Sequence, residues 1–116
     1  MAAVTILCDE RGKIIKTGKD VNLIFTKKGA MRSGDVHPNI QYDYIISGEV
    51  TVKRLENKYE MTETFLAGDT IVIKPNIPHL FIFNEETEML EWWSGKFECK
   101  YYKPYRDIVE GKNEKS

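Results

Sequence analysis

Short apolar segments of three to five residues, rich in β-branched and aromatic side chains and bounded by turn residues, recur along this chain. They are Val4–Leu7, Val21–Phe25, Tyr44–Ile46, Val50–Val52, Thr70–Ile73 and Leu80–Phe83. Side chains of these types fit a pleated, half-buried surface, and the Gly, Pro, Asn and Asp between them interrupt any helical period, so each segment reads as a strand. No helix of ordinary length is needed. Glu49 to Leu66 reads as a hairpin with Leu55-Glu56-Asn57-Lys58 at its tip and alternation on both arms. Many short strands at regular spacing imply an all-β sandwich or small barrel. Only Arg106-Asp107-Ile108-Val109 suggests a helical turn.

A chain of 116 residues is the size of one domain and can form its own core. We expect a single barrel over residues 1–109, followed by a polar tail over 110–116. The 17 basic and 18 acidic residues leave a net charge of −1 with no basic stripe, so nucleic acid is not an expected partner. No apolar run approaches the roughly 18 residues that span a bilayer, and a cytoplasmic location with no membrane contact is expected. Cys8 and Cys99 lie far apart without C-x-x-C spacing, which suggests two reduced, partly buried thiols.

The only two histidines, His37 and His79, each fall in a polar cluster: Gly34-Asp35-Val36-His37-Pro38-Asn39-Ile40-Gln41, closed by Gly48, and Gly68-Asp69-Thr70 through Pro78-His79. Histidine is the commonest protein metal ligand and titrates nearest neutral pH, so this placement points to a site. Asp35 and His37 are two residues apart and share a face on an extended strand. Gln41 and Asp43 join that face if the turn at Pro38-Asn39 keeps the parity.

At these residues the sequence resembles the cupin superfamily, whose barrels carry two motifs separated by a hairpin. The first family motif is a glycine, H-x-H, three or four residues, a Glu, six residues and a Gly. Counting back from Gly48 places Gln41 at the family's Glu, His37 at its second His and Asp35 at its first. The second is G-x5-P-x-G-x2-H-x3-N. There Gly68 and His79 fall in register, Lys74 stands for the Pro with Pro75 following, and Asn76 stands for the internal Gly; Phe83 replaces the Asn, with Asn84 one later. Asn76 keeps a left-handed turn accessible.

The resemblance covers roughly Ala30 to Trp93 and implies a double-stranded β-helix, the cupin-like jelly-roll barrel. If the shared face lines that barrel and His79 arrives from a neighbouring strand, Asp35, His37 and His79 form a 2-His-1-carboxylate set with Gln41 as a neutral fourth ligand. Such a set suits a divalent Fe, Mn, Ni or Zn ion. The function implied is a metal-binding enzyme acting on a small polar substrate, carbohydrate-like or carboxylate, by isomerisation, epimerisation or oxygenation. One alternative is a metal-free sugar-nucleotide ketoisomerase or epimerase, to whose first motif Arg32, His37 and Gln41 are similar. There His37 would be the base and Tyr44 or His79 the acid. Another alternative is a non-catalytic module that binds a small ligand. Arg32, Asp43, Phe81, Phe83, Glu91 and Trp93 are the candidate pocket residues, although solvent exposure is the ordinary state of a glutamate such as Glu91. A homodimer formed through an edge strand or sheet face is expected, because barrels of this size cover their exposed edges that way.

Overall fold

A computed structural model describes residues 4–18 and 20–111. Of the expected tail, Glu110 and Gly111 are among the described residues and 112–116 lie outside them. The chain forms two antiparallel sheets packed face to face, a jelly roll. In chain order the elements are β1 (Thr5–Asp9), β2 (Gly12–Lys16), β3 (Asn22–Thr26), β4 (Met31–Val36), β5 (Gln41–Ser47), β6 (Glu49–Glu56), β7 (Tyr59–Leu66), β8 (Thr70–Ile73), β9 (His79–Phe83), β10 (Thr87–Trp93), β11 (Lys100–Tyr101) and α1 (Lys103–Val109). One sheet runs β1-β2-β3-β10-β5-β8 and the other β11-β4-β9-β6-β7.

Period-2 alternation decides what each strand buries. Ile24, Ile45, Ile71, Ile73 and Met89 face inward from the first sheet, and Val50, Val52, Phe81 and Phe83 meet them from the second. Burying each such side chain contributes about 1.5–3 kcal/mol. The hairpin of β6 and β7 turns at Asn57-Lys58, both with positive φ, as a two-residue I′ turn demands. Its second arm departs from expectation: β7 is exposed on both faces except at Phe65, because it is an edge strand with only β6 beside it. The strand β2 was not legible as one, since Gly12-Lys13-Ile14-Ile15-Lys16 holds too few apolar residues to signal it. Both cysteines are exposed and free, not partly buried, because β1 and the segment before β11 lie outside the two-sheet core.

On the outer face of the first sheet, pairing aligns Ile6, Ile15, Leu23, Leu90 and Tyr44 in one row across five strands. Beside it Trp92 stacks on Tyr42 with ring centroids 5.4 Å apart. On the second sheet's outer face α1 covers β4 and β9, and its Tyr105 is buried and donates its hydroxyl to Glu60 at 2.8 Å. This helix starts at Lys103-Pro104, three residues earlier than the sequence suggested.

The strand β4 carries a bulge between Ser33 and Asp35, with Ser33 and Gly34 both at positive φ (78° and 75°). A Cβ on Gly34 would stand 2.7 Å from the Arg106 Cα of α1, so this position needs glycine both for its φ and for the close approach. Gly68 has φ +93° with nothing within 4 Å. Gly34→Ala is expected to destabilise the fold by about 3 kcal/mol or more and Gly68→Ala by only about 1–2 kcal/mol, the conformational share alone. Chemical denaturation of the two variants measures the difference; equal losses would show that α1 does not press on the bulge.

Candidate metal centre

The bulge sets the site. With one extra residue absorbed at Ser33-Gly34, Asp35 faces inward opposite His79 of β9, and His37 follows two residues later on the same side. The turn at Pro38-Asn39 preserves the parity, so Gln41 and Asp43 at the start of β5 are buried too, at 1% and 0% exposure. The left-handed turn expected at Asn76 is present, with φ 62°, and its backbone N–H donates to the His37 carbonyl at 2.7 Å. That bond ties the segment before His79 to the segment after β4.

Each imidazole is oriented through Nδ1. That of His37 lies 3.0 Å from the Glu98 carbonyl oxygen and that of His79 lies 2.9 Å from the Ile77 carbonyl oxygen. A carbonyl can only accept, so each Nδ1 carries the proton and each Nε2 presents a lone pair. Both lone pairs meet the same atom, Asp35 Oδ1, at 3.3 and 3.2 Å. Gln41 Oε1 adds a further acceptor 3.1 Å from His79 Nε2. Its orientation is fixed from behind, since Gln41 Nε2 donates to Asp43 Oδ2 at 2.7 Å and to Glu91 Oε2 at 3.0 Å.

Acceptors facing acceptors need a cation between them. One proton on His37 satisfies part of the set: burial opposes that charge, but the Asp35 carboxylate and the Glu98 carbonyl more than offset it and hold the His37 pKa above its ordinary value. His79 is different. Burial drives its pKa down, so its neutral Nε2 still faces two oxygens without a donor. The donor atoms of Asp35, His37 and His79 lie within 4.8 Å of one another, and the short separations match the edges of a coordination shell with bonds of about 2.1–2.3 Å. The residues therefore fit a divalent ion, with Gln41 able to supply a neutral fourth oxygen.

The cavity above this cluster has a volume of about 760 Å³. Arg32, Phe81, Glu91 and Trp93 line it alongside Asp35, His37 and Gln41. Other expectations need correction. Tyr44 lies on the outer face of β5, 38% exposed and paired with Leu90 and Thr70, because alternation from Gln41 and Asp43 turns it outward. Phe83 shares the parity of His79 but sits too deep, in the core against Val50 and Phe81. Asp43 is buried behind Gln41 rather than lining the cavity. Glu91 is not solvent-exposed; it is partly buried against Gln41 and opposite Asp43. Sequence reasoning missed Phe97, whose ring lies 5.4 Å from that of His37 and 4.6 Å from that of Trp93. It also missed the two orienting carbonyls, which no residue type announces.

Residues 23–94 match the family model described as Cupin domain. The chain belongs to the cupin family. No curated protein matches it. Solved structures similar to this cupin include a variant of Bacillus subtilis oxalate decarboxylase, 22% identical with a TM-score of 0.70 over 84% of this chain and 29% of that one. Another is the capsular polysaccharide assembling protein CapF of Staphylococcus aureus, 11% identical with a TM-score of 0.71 over 87% of this chain and 32% of that one. At these identities the likeness shows the fold alone, and this cupin spans about a third or less of the length of those chains.

The carboxyls of Asp43, buried, and Glu91, partly buried, lie side by side. Burial, only partly offset by hydrogen bonds, pushes Asp43 up to about 6. Burial and the neighbouring Asp43 charge push Glu91 well above the usual carboxylate range. A carboxyl whose native pKa exceeds its unfolded value binds more protons when folded, so its destabilising effect is absent below about pH 4 and complete above about pH 6–7. Asp43→Asn, which keeps the acceptor for Gln41, is expected to flatten the fall in stability of the metal-free protein between pH 4 and 7 by about 2 kcal/mol. Urea titrations across that range measure this, and parallel wild-type and variant profiles would show that Asp43 ionises freely.

Proposed function

We propose that this protein is a metal-dependent cupin enzyme acting on a small polar substrate, carbohydrate-like or carboxylate, by isomerisation, epimerisation or oxygenation. The observation that carries the reading is the convergence of His37 Nε2, His79 Nε2 and Asp35 Oδ1, all acceptors, at one wall of a cavity large enough for a small metabolite. Two imidazoles, one carboxylate and a neutral amide oxygen suit Fe or Mn, with Ni and Zn accepted by the same donors. The similar oxalate decarboxylase has Mn(II) centres, which agrees with that donor set. When bound, a divalent ion supplies Lewis-acid polarisation of a substrate oxygen.

The chain's own residues do the rest. Trp93 meets the His37 ring edge-on and Phe97 lies tilted against it, and His37 is left 5% exposed. Glu91 borders the cavity with a carboxyl that burial keeps protonated more readily than usual, and so can hold a proton beside a bound oxygen. A metal-free ketoisomerase with Tyr44 as acid loses support, since that hydroxyl faces away from the cavity. We propose the homodimer contact on the apolar row of the first sheet, because a row crossing five of its six strands offers one patch that can face its own copy about a two-fold axis.

Protein expressed with Mn or Fe is expected to retain roughly one equivalent of metal, and His79→Ala less than about 0.2 equivalents while remaining folded by circular dichroism. Elemental analysis reads both. A wild-type value below about 0.2 equivalents after metal supplementation would overturn ligation. Tyr44→Lys is expected to convert a dimer to a monomer at roughly 10 μM in light-scattering chromatography, since a charge is then desolvated at the contact; an unchanged mass would move the contact elsewhere.

A further inference from the structure

The two imidazoles take their orientation from carbonyls of different origin. Ile77 lies two residues before His79, on the same approach to β9, whereas Glu98 lies 61 positions from His37, on the segment Ser94 to Cys99 that joins β10 to β11 outside any strand ladder. The Glu98 carbonyl decides where the His37 proton sits. Asp35 Oδ1, 3.3 Å from His37 Nε2, competes for that proton, and an Nε2–H donated to Asp35 would leave no lone pair toward the centre.

Side chains tie this segment to the turn after β4. Asn39 Nδ2 donates to the Lys96 carbonyl at 2.6 Å, the Ser94 N–H donates to the Ile40 carbonyl at 3.0 Å, and the Ile40 N–H donates to Ser94 Oγ at 3.0 Å. Of these three ties the Asn39 bond stands nearest to Glu98, two residues before it; on the far side of Glu98 the chain is held where Lys100 pairs with Val36. Phe97, between Lys96 and Glu98, lies against the His37 ring with centroids 5.4 Å apart. Gly95 makes room for the amide, since a Cβ there would stand 2.8 Å from Asn39 Oδ1 and 3.2 Å from Nδ2. Asn39 is itself exposed and supplies no donor atom to the cluster of Asp35, His37 and His79.

We propose that Asn39 is a positioning residue for the metal centre. By holding the Lys96 carbonyl it places the Glu98 carbonyl on His37 Nδ1, and so keeps the Nε2 lone pair of His37 open to an ion. The inference rests on the metal-centre reading and names what sets the affinity of that centre from outside it.

The test uses the full chain and two readouts: Mn(II) affinity by electron paramagnetic resonance, and proton–nitrogen correlation spectra of the imidazoles in the metal-free protein at about pH 9, where the rings are neutral. With only two histidines, each ring is assigned directly. Asn39→Asp keeps the shape and removes the donor, and it and Asn39→Ala are expected to bind Mn(II) ~3- to 10-fold more weakly, the worth of one exposed hydrogen bond acting on a ligand's orientation. In both variants His37, and not His79, is expected to gain the Nε2–H form. Gly95→Ala, which pushes the amide aside, is expected to weaken binding in the same way and to add nothing to Asn39→Ala in the double variant. Gly68→Ala, away from the cavity, is expected to lose stability without either change. Wild-type affinity in both Asn39 variants, an unchanged His37 tautomer, or equal weakening by Gly68→Ala overturns the proposal. A wild type that holds no Mn(II) ends the metal-centre reading, and the ring spectra then decide on Asn39 alone.

Discussion

Two backbone carbonyls, those of Ile77 and Glu98, accept the Nδ1 protons of His79 and His37 and thereby aim both Nε2 lone pairs at one carboxylate oxygen. The rest of the site follows from that constraint. An imidazole with Nδ1–H committed to a carbonyl cannot rotate or exchange tautomer without orphaning a buried acceptor, at about 1–3 kcal/mol. The amide of Gln41 is held the same way by Asp43 and Glu91, so its oxygen faces the cluster.

The fold delivers these groups from four strands. Asp35 comes at the end of β4, His37 just past it, Gln41 at the start of β5, His79 at the start of β9 and Glu91 near the end of β10. Asp35, His37, Gln41 and Glu91 line the cavity together with Met89 and Phe81, while Ile45, Val50 and Phe83 pack in the core away from it. Packing in that core is what keeps the donors rigid, because side chains on paired strands move only with the sheets. The bulge at Ser33-Gly34 couples the site to α1: Tyr102 N–H donates to the Gly34 carbonyl and Arg106 Nη1 to the Ser33 carbonyl. Loss of the helix would therefore reach Asp35 through the backbone rather than through any side chain.

Much of this was legible from residues alone. The β-branched segments, a hairpin turning within Leu55–Lys58 (its first two residues proved to belong to β6) and the shared face of Asp35, His37, Gln41 and Asp43 follow from period-2 alternation and turn chemistry, which act locally, while the left-handed Asn76 was read from the family motif. Other features depend on partners distant in sequence. Burial of Glu91 needs the Gln41 amide fifty residues away, and an isolated glutamate on a strand gives no sign of it. Tyr44 could have been excluded by the same parity that unites Gln41 with Asp43; its hydroxyl invited a chemical role that the alternation forbids. Phe83 obeys the parity of His79 but not its depth, since alternation assigns a face and says nothing of how far along the barrel a residue lies. The carbonyls of Ile77 and Glu98 leave no trace in residue type.

Four acceptors surround one position suited to a cation. Anomalous X-ray diffraction from crystals soaked in MnCl2 locates any ion held there. A single strong peak is expected about 2.0–2.3 Å from Nε2 of His37, Nε2 of His79 and Oδ1 of Asp35. A peak elsewhere with this position empty at saturating Mn(II), or an imidazole turned so that Nδ1 faces the centre, would contradict it.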